Sequence, residues 1–243
     1  MSIQTCCITL AYLPRDSMRF KAPPWTEIDT VMFDMDGTLL DLRFDNYFFL
    51  DLVPETYAET NSISKEESLL RIKRFYQEVQ GTLNWYSLDY WTERLKIDIP
   101  SLKRSVADKI SVRPNAELFL SELQKLNKRL LLVTNAHPKT LQIKVEQTEI
   151  FNYFDQLISS HNLKLAKEAP GFWKRLQTVE TYDPKRTILF DDSLPVLRQA
   201  KIEHLKYLWG IRKPDSQREN QVSSEFPLVD NFKQCFPTKI SAL

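Results

Sequence analysis

A chain of 243 residues, 42% hydrophobic and 27% charged, is long enough to bury a sizeable core and has an ordinary globular composition. Its net charge of +1 gives no electrostatic reason to expect a nucleic-acid polymer as partner. Cys6, Cys7 and Cys235 offer neither a disulfide framework nor a zinc spacing, so free thiols in a reducing compartment are expected.

The first residues carry a short apolar patch, Cys6 to Leu13, with no basic residue before it. It is too short to cross a bilayer and lacks the charged start of a signal peptide, which predicts a cytoplasmic protein without a membrane partner. Residues 1–28 read as an N-terminal extension, poorly ordered in part, within which Met18 offers an alternative translation start.

Val31, Met32 and Phe33 read as the end of a buried strand. Asp34 and Asp36 follow, and Gly37 lets the chain break away. Residues two apart in a strand face the same side, so both carboxylates should converge at the strand's carboxyl end, where open α/β sheets bind ligands. Crowded carboxylates repel, and a cation or a proton must relieve them. The pair therefore predicts a metal site, an acid/base pair, or both.

From 44 to 110 no convincing strand occurs. Helices are expected at about 45–59, 65–80, 87–96 and 101–110, with Ser64 and Glu67 forming a capping box ahead of the second. This stretch is too long for a loop and reads as a helical module inserted just after the Asp pair, over the site. Apolar runs then recur at Arg129–Thr134, Gln156–Ser159, Thr187–Phe190 and 206–209. Helical patterns at 115–126, 139–149, 170–179 and 194–200 alternate with them, and Pro114 and Pro138 read as helix-start signals. The alternation predicts an α/β fold with a parallel sheet. The expected division is a core domain of residues 29–43 and 111–243, with a helical cap of residues 44–110.

Asp34 and Asp36, Thr134-Asn135, Lys167 and Asp191-Asp192 all fall at or just beyond strand ends. In this order, with the DMDGT string at 34–38, they resemble the haloacid dehalogenase (HAD) superfamily, whose members are mostly magnesium-dependent phosphatases. The resemblance implies a Rossmann-like core whose parallel sheet carries an α-helical cap between the first and second strands. The segment from Thr134 to Lys167 is too short for the larger cap that other members carry there. The strings DGTLLDLRFDNYF (36–48), LVPETYA (52–58), TLNWYSLDYW (82–91) and VTNAHP (133–138) further resemble bacterial HAD enzymes described as GMP/IMP 5′-nucleotidases.

The chemistry follows from charge. At about 3 Å and an effective dielectric near 20, each like-charge unit between a carboxylate and a phosphate costs about 5–6 kcal/mol. A divalent ion supplies the compensation, and oxygen-only ligands suit Mg²⁺. The resemblance assigns Asp34 as nucleophile and Asp36 as acid/base, with the Asp36 carboxyl pKa raised by neighbouring anions. It assigns the metal to Asp34, the Asp36 backbone carbonyl and Asp192, with Asp191 bound directly or through water. Thr134, Asn135 and Lys167 would bind the phosphate, although Lys164 lies near enough to compete and Lys167-Glu168 departs from the usual Lys-Pro pairing.

Asn46, Tyr86, Tyr90 and His137 are the substrate-contact candidates, with Tyr47 and Asn84 behind them. Tyr86 and Tyr90, four apart, would share a helix face. Trp85, Trp91 and the tyrosines are equally suited to the core of a small helical module. His161 and His204 have no partner at ligand spacing. The expected reaction is hydrolysis of a purine nucleoside 5′-monophosphate. The alternatives are another small phosphomonoester such as a sugar phosphate, a metal-free dehalogenase, and a non-catalytic binding module.

Overall fold

In the computed structural model, which describes residues 22–237, the apolar runs become strands of one parallel sheet. They are β1 (Thr30–Phe33), β2 (Arg129–Thr134), β3 (Gln156–Ser159), β4 (Thr187–Phe190) and β5 (Tyr207–Ile211), joined by a two-residue β6 (Leu228–Val229). The spatial order is β3-β2-β1-β4-β5-β6. From β1 the chain winds outward through β2 and β3, then returns to β4 on the other side of β1. The switch point of the sheet therefore lies at the carboxyl ends of β1 and β4, where a crevice opens.

Both faces of the inner strands β1, β2 and β4 are covered, which is why these read as apolar runs, while β3 at the edge is partly exposed. Val31, Phe33, Leu130, Leu132, Ile188 and Phe190 pack on one face with Phe119, Leu120 and Leu123 of α7 (Ala116–Lys125). Met32, Leu131, Val133 and Leu189 point the other way. They meet Phe172, Trp173 and Leu176 of α10 (Phe172–Val179), and Val196, Leu197 and Ala200 of α11 (Leu194–Ile202). Between β2 and β3 runs α8 (Pro138–Gln147), with Pro138 in its first turn and His137 as its N-cap. A short α9 (Ser160–Leu163) follows β3.

The insertion after β1 is all helical: α1 (Arg43–Tyr47), a π-turn at Phe48–Leu52, α2 (Val53–Asn61), α3 (Lys65–Val79), α4 (Leu83–Tyr86), α5 (Leu88–Leu95) and α6 (Ile99–Arg104). Ser64 caps α3 by accepting from the Glu67 N–H at 3.1 Å. The insertion has its own core, built on Phe48, Tyr57, Ile72, Tyr76, Leu88, Trp91 and Leu95. Its entry and exit segments run side by side, with Asp41 N–H donating to Ser111 O at 2.9 Å and Arg113 N–H to Leu39 O at 2.9 Å.

Some expectations change. Tyr86 and Tyr90 do not share a helix: Ser87 is extended and caps α5 by accepting from the Tyr90 N–H at 3.2 Å, so α4 ends at Tyr86. Pro114 lies outside α7, because Asn115 at φ 65° occupies the N-cap. The two-residue β6 is too short to give a periodic signal. Cys6 and Cys7, and the question of where translation starts, lie outside the described residues. Packing against the core begins earlier than residue 29: Trp25 and Ile28 are buried, and Trp25 Nε1 donates to Cys235 O at 2.8 Å. Cys235 is a buried free thiol, pushed up to about 12 by burial. No helix among the described residues is long and apolar enough to cross a membrane.

If Trp25 belongs to the core, Trp25→Ala should cost about 3–5 kcal/mol in urea unfolding. A loss under about 1 kcal/mol would make residues 22–28 a surface appendage.

Candidate active site

β1 ends at Phe33, yet the ladder continues one step, with Asp34 N–H donating to Phe190 O at 2.9 Å. On the neighbouring strand Asp191 N–H donates to Trp209 O at 3.1 Å. Two adjacent strand ends thus deliver carboxylates to the switch point. Oxygen atoms of Asp34, Asp191 and Asp192 come within 4.8 Å of one another. The Asp36 carboxylate is outside this group, so the two members of the Asp34/Asp36 pair point to different surroundings.

Lys167 arrives from the loop after α9 and is fully buried. Its Nζ donates to Asp34 Oδ1 at 2.5 Å, Asp191 Oδ2 at 2.7 Å and the Val133 carbonyl at 2.9 Å. Lys164 is exposed and reaches none of these groups. Asn135 holds the Lys167 backbone, its Oδ1 accepting from the Lys167 N–H at 2.9 Å. Asp191 Oδ1 accepts from the Ser193 N–H at 2.9 Å. Among the described residues, the Asp192 carboxylate has no hydrogen-bond or ion-pair partner.

Three carboxylates therefore face one ammonium group. Burial pushes the Asp34 carboxyl up to about 6 against the pull of Lys167, with Asp191 adding to the rise. Burial and the charges of Asp34 and Asp191 hold Asp192 well above its usual range. This donor set fits a hard divalent cation: it is oxygen-only, carries surplus negative charge and includes a carboxylate without a partner. Gly37 makes room for it. At φ +85° it sits where L side chains are strained, and a Cβ there would lie 2.6 Å from Asp192 Oδ2.

Asp36 belongs to a second cluster. Its Oδ1 accepts from Lys144 Nζ, which also donates to Asp45 Oδ2 at 2.5 Å. Asp45 Oδ1 accepts from Lys103 Nζ at 2.5 Å. Two carboxylates here balance two lysines. Burial, then the Asp45 charge, raises the Asp36 carboxyl to about 7 although Lys144 opposes it. Burial also works upward on Asp45, but Lys103 and Lys144 outweigh it and hold Asp45 below the usual carboxylate range.

A cavity of about 340 Å³ opens above these groups. Asp34, Asp36, Asn135, Lys167, Asp191 and Asp192 form its floor, and Asn46, Phe49, Tyr76, Trp85, Tyr86, Trp91 and Lys103 its helical wall. The volume is in the range of small-molecule sites, about 300–1,000 Å³. Trp91 serves both wall and core: it stacks edge-on with Tyr76 at 4.9 Å and donates through Nε1 to Trp85 O at 2.9 Å.

Of the substrate candidates, Asn46 and Tyr86 line the cavity and Tyr90 and His137 do not. Tyr90 stands against Trp91 at 4.9 Å, turned away by the break at Ser87. His137 is committed to capping α8 and packs edge-on with His161 at 4.9 Å. Thr134 is buried beneath the floor, its Oγ1 accepting from the Ala136 N–H at 3.0 Å. Asn46 Nδ2 donates to Asp215 Oδ2 at 2.7 Å. Tyr86 Oη donates to Glu168 Oε1 at 3.1 Å, and Glu168 Oε2 accepts from Asn135 Nδ2 at 2.8 Å.

Sequence reasoning missed Lys144, Lys103, Asp45 and Glu168. A signal existed for the lysines, since each lies on the buried stripe of its helix: Lys144 with Thr140 and Ile143 on α8, and Lys103 with Ile99 on α6.

Comparison with known proteins agrees with this geometry. Residues 28–198 match the family model of haloacid dehalogenase-like hydrolases. The chain belongs to that family. It is 36% identical over 214 residues to the GMP/IMP nucleotidase YrfG of Escherichia coli (strain K12), covering 88% of this chain and 96% of that protein. It is 22% identical over 199 residues to a phosphorylated carbohydrates phosphatase of Thermotoga maritima, covering 76% of this chain and 85% of that protein. Among solved structures, the HAD phosphatase from Thermococcus onnurineus superposes with a TM-score of 0.67 at 22% identity, covering 83% of this chain and 93% of that one. CbbY from Rhodobacter sphaeroides in complex with phosphate gives a TM-score of 0.60 at 15% identity, covering 84% and 95%. The protein is thus an HAD phosphatase, a phosphoric monoester hydrolase with the family fold.

Gly37→Ala should cost about 1–3 kcal/mol through the strained backbone and displace Asp192. Urea unfolding and phosphatase assays measure both, and a variant with wild-type stability and turnover would contradict the close approach.

Proposed function

We propose that the protein is a Mg²⁺-dependent 5′-nucleotidase acting on the purine nucleoside monophosphates GMP and IMP through an aspartyl-phosphate. The observation that carries this reading is the 36% identity to the E. coli GMP/IMP nucleotidase, whose 214 aligned residues leave too few outside to omit the cap. The cap supplies the cavity wall, and that wall is aromatic, a surface suited to the flat face of a purine.

In this reading Asp34, the Asp36 backbone carbonyl and Asp192 would hold the metal, with Asp191 beside them. When bound, Mg²⁺ would supply the positive charge that lets a carboxylate approach a phosphate dianion. Lys167 adds a second positive charge at Asp34, and Asn135 fixes the Lys167 backbone. A carboxylate oxygen of Asp34 bonds to phosphorus as the bond to the ribose oxygen breaks. Asp36 gives its proton to that departing oxygen. Water then attacks phosphorus, Asp36 takes back a proton, and phosphate leaves Asp34 free. The raised pKa of Asp36 suits a group that must both hold and release a proton near neutrality. The buried free thiol of Cys235 is compatible with a reducing, cytoplasmic setting.

Asp34→Asn should abolish turnover, and EDTA should remove activity that Mg²⁺ restores; an active Asp34→Asn variant contradicts the nucleophile. Across GMP, IMP, AMP, UMP and several sugar phosphates, kcat/KM should be highest for GMP or IMP. A sugar phosphate ahead by tenfold, about 1.4 kcal/mol of transition-state preference, would overturn the substrate assignment.

A further inference from the structure

We propose that Lys144 is a positioning residue for Asp36, and that it ties the acid/base group to the cap through Asp45. The inference rests on the reading of Asp36 as the acid/base and goes beyond it.

Among the described residues, Lys144 Nζ is the sole hydrogen-bond donor to the Asp36 carboxylate. Nothing else there orients a group that must meet the leaving oxygen within hydrogen-bond reach. Lys144 comes from α8 of the core and is fully buried. Its second partner, Asp45, comes from α1 at the start of the cap, and Asp45 is held in turn by Lys103 from α6 near the end of the cap. Lys103 Nζ lies 4.7 Å from the ring centres of both Phe48 and Phe49, so its position is fixed by packing as well as charge. The result is a chain of alternating charges, Asp36–Lys144–Asp45–Lys103, running from the catalytic floor into the cap.

Buried ammonium groups are costly unless fully paired, and a simple fastening of cap to core could use apolar contacts instead. What this cluster adds is a fixed position for Nζ between two carboxylates. With Asp45 in place, Lys144 has one arrangement that satisfies both partners, and Asp36 is aimed by it.

The test compares two leaving groups. GMP needs a proton on its departing ribose oxygen, whereas p-nitrophenyl phosphate releases a stable anion and needs little help. In a covalent mechanism kcat/KM covers the steps up to departure of that group. Lys144→Met and Asp45→Asn should each lower kcat/KM for GMP at least tenfold and for p-nitrophenyl phosphate less than about threefold, within the range attributed to general acids. Equal losses on both substrates would reduce the cluster to a structural fastening, and no loss on either would remove its role; both results overturn the proposal. Asp36→Asn is measured alongside. If it too affects both substrates equally, the acid/base reading of Asp36 fails and takes the proposal with it. If it discriminates and the other variants do not, the positioning role alone fails. Should Lys144→Met not fold, Asp45→Asn, which keeps Lys144 and the local shape, carries the same comparison.

Discussion

At the carboxyl ends of β1 and β4 negative charge outweighs positive. Asp34, Asp191 and Asp192 converge there, and among the described residues Lys167 alone pairs with them, reaching Asp34 and Asp191. Such an arrangement is unfavourable in isolation, since burial and mutual repulsion both raise the carboxyl pKa values. Three features maintain it. The parallel ladder brings the two strand ends side by side, the left-handed turn at Gly37 admits the Asp192 carboxylate, and Asn135 anchors the Lys167 backbone. Three carboxylates held this way are a set that could hold a metal ion.

The neighbouring cluster around Asp36 is built differently. Its two carboxylates and two lysines balance, and half of its members come from the cap. The floor is thus divided between a core-built part with surplus negative charge and a neutral part completed by the cap. Tyr86 and Glu168 add another link between the layers, reaching Asn135. Asn135 and Asp36 are thus the floor residues through which the two layers meet.

Much of the core was legible because burial on both faces leaves an unmistakable mark. RLLLVT and TILF are buried along nearly their whole length, whereas QLIS at the sheet edge is exposed at Gln156 and half-buried at Leu157 and Ile158; all three became strands with the expected bounds. The convergence of Asp34, Asp191 and Lys167 followed from strand ends and motif order. The wall of the cavity was harder to read. Four-residue spacing placed Tyr86 and Tyr90 on one face, but a serine that can cap a helix overrode the periodicity at Ser87. Lysines within helices normally face solvent, and that expectation outweighed the stripe positions that set Lys103 with Ile99 and Lys144 with Thr140 and Ile143. Asp45 and Glu168 act through partners distant in sequence, which no local pattern encodes.

The central claim is that the surplus negative charge at Asp34, Asp191 and Asp192 is completed by a divalent cation, and thermal unfolding in a Mg²⁺ titration tests it most directly. At a hundredfold excess over its dissociation constant, a ligand of the folded state stabilises by about 2.7 kcal/mol, or about 5–10 °C in Tm for a chain of this size. The account predicts that rise for the wild-type protein. It also predicts that Asp192→Asn has a higher Tm without metal, because a repulsive charge is gone, and little response to Mg²⁺. An unresponsive wild type, or an Asp192→Asn variant that responds equally, would contradict it.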